Sequence, residues 1–378
     1  MVKVKARVID SITLAQKNEW NALVEASNPF TRYEFLQALE TSGSVGGKSG
    51  WIPHYIIAKR GSKLVGAIPL YLKFNSLGEY IFDWQWAGLY EQLNMNYFPK
   101  FVIAIPFTPA TGKRILVHND EPFEEIAQAM LDLLMREAKR KASSIHWLFI
   151  TAAESDFLEK HDYIPRLTYQ YHWQNNHYES FSHFLQQLKA KKRNQIKRER
   201  RVANHVEIEA LSGKDLLPIH WDHMYIFYLS TIGKKWAYPY LTRAFFEDIA
   251  TNFRDNVVLF MAKKEEEYVA GALNFRAGEH MYGRYWGCTE KFYDLHFELC
   301  YYQSIEYCIN NNIRLYEAGA QGQHKIPRGF LPNYTHSAHW IKEPAFSQVI
   351  ETIVSEGNRH AQDDIDELNQ LSPFRCEN

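Results

Sequence analysis

Cysteine is scarce in this chain, with four among 378 residues and no CxxC pair. Cys300 and Cys308 fall eight apart on an expected helix, which separates them by roughly 12 Å along its axis, too far for a disulfide. The pattern points to a reduced, cytosolic protein. Long apolar runs are also missing. None is long enough to cross a bilayer, and the opening MVKVKARVIDS lacks the apolar centre of a signal peptide. No charge sign dominates either, with 43 Lys/Arg against 44 Asp/Glu.

What is present describes a globular protein: 46% hydrophobic and 23% charged residues. A length of 378 exceeds what one core usually serves, so two domains are expected. Aromatics reach 15%, enough to line grooves as well as cores. The near-neutral balance hides an island. Lys189–Arg201 carries eight Lys/Arg and one Glu, or +7, so the rest of the chain carries −8 (−1 minus 7).

Helical pieces are expected at Trp20–Ala26 and Tyr33–Leu39, broken by Asn28-Pro29. Tyr55–Lys59 and Leu64–Lys73 read as a hairpin about the Gly61-Ser62 turn. Trp84–Phe98 is aromatic and poorly periodic. Phe101–Phe107, His146–Ile150 and Arg166–Trp173 read as strands, and Phe123–Arg140 as an amphipathic helix. The second half repeats the order: hairpin Val257–Lys263/Val269–Arg276, strand His280–Gly287, helix Leu295–Asn310, strand Ile313–Ala318, closing strand Tyr334–Ile341 and helix Phe346–Leu368. Ala58-Lys59 and Gly66-Ala67 answer Ala262-Lys263 and Gly271-Ala272, and His172-Trp173 answers His339-Trp340. Two copies of a mixed α/β unit fit the length, as domains 1–175 and 211–378 joined by a basic linking helix over 176–210.

The chemistry concentrates in LYEAGAQGQHKIPRGFLP, Leu315–Pro332. On a strand, Glu317 shares a face with Ile313 and Leu315, and a glycine-punctuated loop follows with Gln321, Gln323, His324, Lys325 and Arg328. A carboxylate at the end of a core strand is expensive unless it is used or paired. One reading makes Glu317 a base; the other has Arg328 or Lys325 pin it. We expect a pocket in which Glu317 and His324 act while Tyr285 and Gln321 help line it. Arg284 and Trp286 share a strand face toward the same groove or core. Glu298 and Glu306 line the groove or pair with Arg284. His296 lies four residues before Cys300, but a buried helical cysteine is commoner than a thiol nucleophile. The pairs His220/His223 and His336/His339 do not make a metal site: the first lacks an HExxH glutamate, and strand residues three apart face opposite sides.

The basic run has three readings. It is a solvated face, a membrane-surface segment (for which Ile196 and Val202 give little apolar area), or a polyanion contact through Lys192, Arg193, Lys197 and Arg198. Eight cations over roughly 20 Å of helix exceed what solubility needs.

Several stretches together resemble the bacterial FemAB-like predicted N-acyltransferases, labelled as peptidoglycan-biosynthesis related. They are Ala38–His54, Tyr97–Arg114 (YFPK, then PFTPATGKR), Lys191–Arg201, KWAYPYLTRAFF at Lys235–Phe246, YGRYWG at Tyr282–Gly287, Leu295–Glu306 and Glu317–Pro332. The resemblance implies two tandem GNAT-like (acyl-CoA N-acyltransferase) domains, each a mixed, mainly antiparallel twisted sheet flanked by helices. It also implies transfer of an acyl or aminoacyl group to an amine, with a cell-envelope precursor as a candidate acceptor. No permanently bound cofactor is expected; acyl-CoA or aminoacyl-tRNA is the co-substrate. The usual Q/R-x-x-G-x-G/A pyrophosphate loop is replaced by Cys288–Asp294, which has no glycine. Thr108, Thr111, Gly112, Lys113 and Arg114 form the equivalent first-half loop, either a phosphate cradle or a polar turn. A cytoplasmic N-acyltransferase is the reading carried forward. The rival is a non-catalytic polyanion- or precursor-binding protein that keeps the fold.

Overall fold

The computed structural model describes residues 3–234, 239–290, 292–319 and 322–375. The chain forms two compact units that are interleaved rather than consecutive. The first holds Met1–Glu25, Phe30–Thr168 and Tyr334–Gln362; the second holds Ala26–Pro29, Tyr169–Asn333 and Asp363–Asn378. This differs from the linear division 1–175/176–210/211–378. The C-terminal strand folds with the first unit, and the basic segment is part of the second rather than a free linker.

In the first unit, β1 (Val4–Ile9), β2 (Trp51–Pro53), β3 (Tyr55–Arg60), β4 (Lys63–Ile68), β5 (Leu70–Lys73), β6 (Lys100–Ile103), β7 (Leu116–Val117) and β8 (Ser144–Ile150) are built around one long hairpin. Gly61, at φ 64, turns it as expected. Pro69 donates no backbone hydrogen bond, and there the hairpin breaks. One part pairs as β1-β3-β4-β7, the other as β2-β5-β6-β8. β6 and β8 run parallel, with the helix Phe123–Lys141 between them in the chain. That helix buries Ile126, Met130 and Leu134, carries Glu124 and Glu125 in its first turn, and ends on Lys139, Arg140 and Lys141. Both ends thus suit the helix dipole. Ile126 and Met130 pack close over Gly66, where a Cβ would meet the Ile126 side chain at 2.5 Å.

β9 (Ile164–Gln174) passes from the first unit into the second. There β10 (Glu207–Ser212), β11 (Val257–Lys264), β12 (Glu267–Ala277), β13 (His280–Cys288) and β14 (Leu315–Glu317) form the order β10-β11-β12-β13-β14-β9. The order repeats that of the first unit: an edge strand, a hairpin, an antiparallel neighbour, a parallel strand reached through a helix, and an antiparallel closing strand. Each hairpin even has a bulge at the echoed Ala-Lys pair, Ala58/Lys59 and Ala262/Lys263.

The closing strands are exchanged. β9 follows β8 in the chain but pairs with β14, whereas β15 (Leu331–Ile341) follows β14 but pairs with β8. Both closing strands have 11 residues and carry the echoed His-Trp pair. His172 stands opposite Glu317 and Trp173 opposite Tyr316; His339 stands opposite His146 and Trp340 opposite Ile145. Each strand therefore presents the same pattern to its slot.

Two expected helices are more irregular than their periodicity indicates. Phe181–Gln187 and Ala190–Glu199 are separate helices, divided at Leu188-Lys189. Leu295–Asn310 contains a π-turn at Glu298–Tyr302. The aromatic stretch after Asp83 forms a helix, Trp84–Gln92, that buries Trp86 and Tyr90.

Candidate active site

β13 and β14 pair over three positions only, ending with Tyr282 opposite Glu317. β13 runs on, with its register against β12 shifted so that Arg284 is the extra residue between Gly283 and Tyr285. β14 stops at Glu317, and the chain turns through Gly319, at φ 85. Glu317 is therefore the last strand residue, at the place where the parallel pair ends, and it is only 4% exposed.

Its cross-strand neighbour is His172, with 3.9 Å between Nε2 and Oε2. Burial, with help from Lys325 and His280, lowers the His172 pKa to about 3, so the imidazole is neutral at pH 7. Asn333 donates from Nδ2 to His172 Nδ1 at 2.9 Å. That leaves the ring proton on Nε2, facing Glu317 and beyond hydrogen-bond reach. The pair is not a salt bridge at neutral pH. Lys325 is also buried, donating from Nζ to Gly319 O at 2.7 Å, and burial lowers its pKa to about 8. An acid, a neutral imidazole and a weakened ammonium thus surround the strand end, a combination found at sites that move protons.

The other predicted residues fall into two groups. His324 Nε2 meets the Tyr301 hydroxyl at 2.9 Å. His296 lies 5.2 Å from Trp286 and 6.4 Å from His324 between ring centroids, and Phe297 completes this aromatic cluster. Arg284 stacks over Tyr285 at 5.4 Å, and Tyr285 packs edge-on against Tyr228. Gln321 lies outside the described residues.

The second group is structural. Arg328 does not serve as the expected pin for Glu317. Its guanidinium grips Glu199 of the basic segment, Nη2 to Oε1 at 2.8 Å and Nε to Oε2 at 3.1 Å, and Tyr302 donates its hydroxyl to the same carboxylate. Glu298, fully buried, pairs with Arg200 at 3.0 Å, not with Arg284, and Arg200 also holds Glu306 at 2.8 Å. Two charges inside the basic run thus anchor it to the loop and helix of the same unit. Glu199→Ala leaves the Arg328 guanidinium buried without its acid and should cost about 3 kcal/mol or more, read as a drop in thermal midpoint. A midpoint within a degree of wild type would show that the pair holds nothing.

The basic face itself is open. Lys189, Lys191, Lys197, Arg198 and Arg201 are exposed, Lys192 and Arg193 are half-buried, and Ile196 points inward. Lys189 donates to the Ser372 carbonyl at 2.8 Å. Among the described residues, no carboxylate lies within salt-bridge distance of Lys192, Arg193, Lys197 or Arg198.

The first-half loop spends its donors internally. Gly112 N–H donates to Phe149 O at 3.0 Å, Thr108 Oγ1 to Pro106 O at 3.0 Å, and Arg114 to the carbonyls of Ala110 and Gly112 at 2.8 and 3.0 Å. Glu154 accepts from the amides of Arg114 and Ile115. Lys113 is tied to Glu25 at 3.2 Å. This arrangement suits the polar-turn alternative: a phosphate arriving here would meet Arg114 Nη1 and Nη2 already on carbonyls and a carboxylate on the Arg114 and Ile115 amides.

A buried polar network in the first unit was not among the predicted site residues. The Nδ1 atoms of His146 and His339 are in hydrogen-bond contact at 2.8 Å, and Ser144 and Ser337 contact their Nε2 atoms at 2.7 and 3.0 Å. Tyr97 links His146 to Asp83, which Lys100 holds, and Lys100 also reaches Glu79 at 2.8 Å. His146 occupies the position in β8 that Glu317 occupies in β14. Of these residues the His-Trp echo marked His339 alone, and Asp83, Tyr97 and Lys100 lie in stretches without periodicity.

These imidazoles give a pH signature. Burial holds His146 and His339 well below the ordinary histidine range, aided by Lys100 and Arg166 around His146 and by His146 and Arg166 around His339. With His172 they are neutral in the fold and take protons only when unfolded, so stability falls as pH drops below about 6.5. Each contributes a loss on the order of 1 kcal/mol from pH 7 to 5.5. Glu79 acts oppositely: burial outweighs Lys100 and raises it to about 7, so acid stabilises it in the fold. The expected balance is a net loss of about 2 kcal/mol over that interval, measured from urea midpoints. Midpoints that rise on acidification would contradict buried neutral imidazoles.

Two units of this topology, each with a parallel strand pair that carries a buried titratable side chain opposite the closing strand, have a tandem GNAT-like fold of mixed, mainly antiparallel sheets. The chain belongs to the FemAB-like family, described as peptidoglycan biosynthesis/recognition, whose profile matches residues 11–376. Among solved structures it is similar to FemX, at 13% identity and TM-score 0.56, over 91% of this chain and 100% of that one. It is also similar to L-PGS from Bacillus licheniformis, at 8% identity and TM-score 0.55, over 92% and 98%. A conserved protein of unknown function from Bacteroides thetaiotaomicron matches at 13% identity and TM-score 0.50, over 90% and 99%. At these identities the likeness is one of fold. No curated protein matches the sequence.

Proposed function

We propose that the protein is a transferase that moves an aminoacyl group from charged tRNA to an amine of a peptidoglycan precursor, with Glu317 as proton acceptor. The observation that carries the choice of donor is the basic face: cations turned outward without carboxylate partners, on a helix whose inward charges lock it to the loop after Glu317. An array of that kind suits a phosphate backbone. The CoA alternative meets an unfavourable loop. Between β13 and the next helix stand Glu290 and, at the helix N-cap, Asp294 in the left-handed region, and no glycine opens the backbone to a pyrophosphate.

The step balances simply. The acceptor ammonium loses a proton to Glu317, and the free amine attacks the ester carbonyl. A C–N bond forms, the ester C–O bond breaks, and the leaving ribose hydroxyl takes up a proton. Arg284 and the strand-end N–H groups of β13 are the donors for the oxyanion between. His324, with Tyr301, Trp286 and His296, forms the aromatic wall for substrate. The direct test supplies labelled aminoacyl-tRNA or labelled acetyl-CoA with a muramyl-peptide nucleotide as acceptor. Label is expected in the acceptor from tRNA only. Transfer from acetyl-CoA alone would overturn the donor, and transfer from neither would favour the non-catalytic binding protein.

A further inference from the structure

A cavity of about 480 Å³ opens in the first unit, between the residues after Phe82, Arg166 of β9 and the C-terminal helix Pro344–Gln370. Its size is within the range of small-molecule sites. Arg166 is half-buried here and lies over the Trp86 ring at 5.3 Å, and its Nη1 donates to Phe82 O at 3.1 Å. Among the described residues, no carboxylate lies within salt-bridge distance of it. Asp83, the acid whose charge it feels, is held by Lys100 and Tyr97. Arg166 itself lines the cavity. Trp86 is fixed from behind by His339, edge-on at 4.8 Å. At the mouth, Trp84 stands 63% exposed against Phe82.

We infer that this cavity is a binding site for a small monocarboxylate with a flat or apolar body, its carboxylate on Arg166 and its apolar face on Trp84 and Trp86. A half-buried guanidinium without an acid partner is costly unless an anion completes it, and its planar fork matches a carboxylate. The anion should carry one charge: among the described residues Arg166 is the only Lys or Arg lining the cavity, and Glu356 and His360 line it too. A phosphate dianion would meet that carboxylate with only one guanidinium to hold it. Glu317 is not among the lining residues, and the inference does not rest on the transferase reading.

The test titrates the full-length protein with N-acetyl-L-phenylalanine, its methyl ester and inorganic phosphate, followed by calorimetry. The acid should bind, the ester about tenfold or more weaker, on the scale of a lost charge-assisted hydrogen bond. Phosphate should not displace the acid at equal concentration. Arg166→Gln should lose the preference for acid over ester. Trp84→Ala, at an exposed position, should weaken the acid several-fold with an unchanged unfolding midpoint, and it carries the test if Arg166→Gln fails to fold. Equal binding of acid and ester, displacement by phosphate, wild-type affinity in Trp84→Ala, or no binding at millimolar acid would each overturn the site.

Discussion

Glu317→Gln should lower turnover about a hundredfold or more while leaving the fold intact, the scale expected when a general base is removed. The substitution keeps shape and hydrogen-bonding capacity but cannot take the proton that the acceptor ammonium must lose. Because His172 is neutral, the change breaks no ion pair with it at pH 7. KM for the acceptor should change far less than kcat. Full turnover with a lower unfolding temperature would make Glu317 a structural carboxylate. His172→Gln provides a contrast: it removes the facing imbidazole proton but not the base, so the loss of rate should be smaller than for Glu317→Gln.

Replacing Lys192, Arg193, Lys197 and Arg198 with Gln should nearly abolish the salt dependence of tRNA binding. If the helix neutralises about five phosphates, log K should fall against log[salt] with a slope near −3.5 on single-stranded RNA or about −4.5 on a duplex. Removing four cations takes away about four of those contacts and leaves a slope near −1. The loss should be the same for RNA of any sequence, since phosphate contacts carry no base information. Glu199 and Arg200 are left in place because they anchor the helix to Arg328 and Glu298. With a CoA thioester as donor, the same substitutions should leave turnover almost untouched. No measurable tRNA binding by the wild type at low salt would return the helix to a solvated surface.

The sequence by itself determined the elements and their repetition. Period-2 and period-3.6 patterns place both hairpins and the helices Phe123–Lys141 and Pro344–Gln370, because burial of one face is a local constraint written in residue order. It also put Glu317 at the end of a core strand and marked His172 and His339 through their shared dipeptide. Tertiary structure alone decided which copy each closing strand serves: β9 and β15 carry matching length and pattern, so local preference cannot choose between the slots beside β8 and β14. It likewise decided the partners of the charges. Arg328 lies 129 residues from Glu199 and Arg200 lies 98 from Glu298, and no periodicity encodes pairing at such separations. The loop Thr108–Arg114 shows the same limit, since its cations and hydroxyls read as a phosphate site until Glu154 and the loop's own carbonyls take up the donors. Composition states which groups are present; only the folded chain shows which of them are already satisfied.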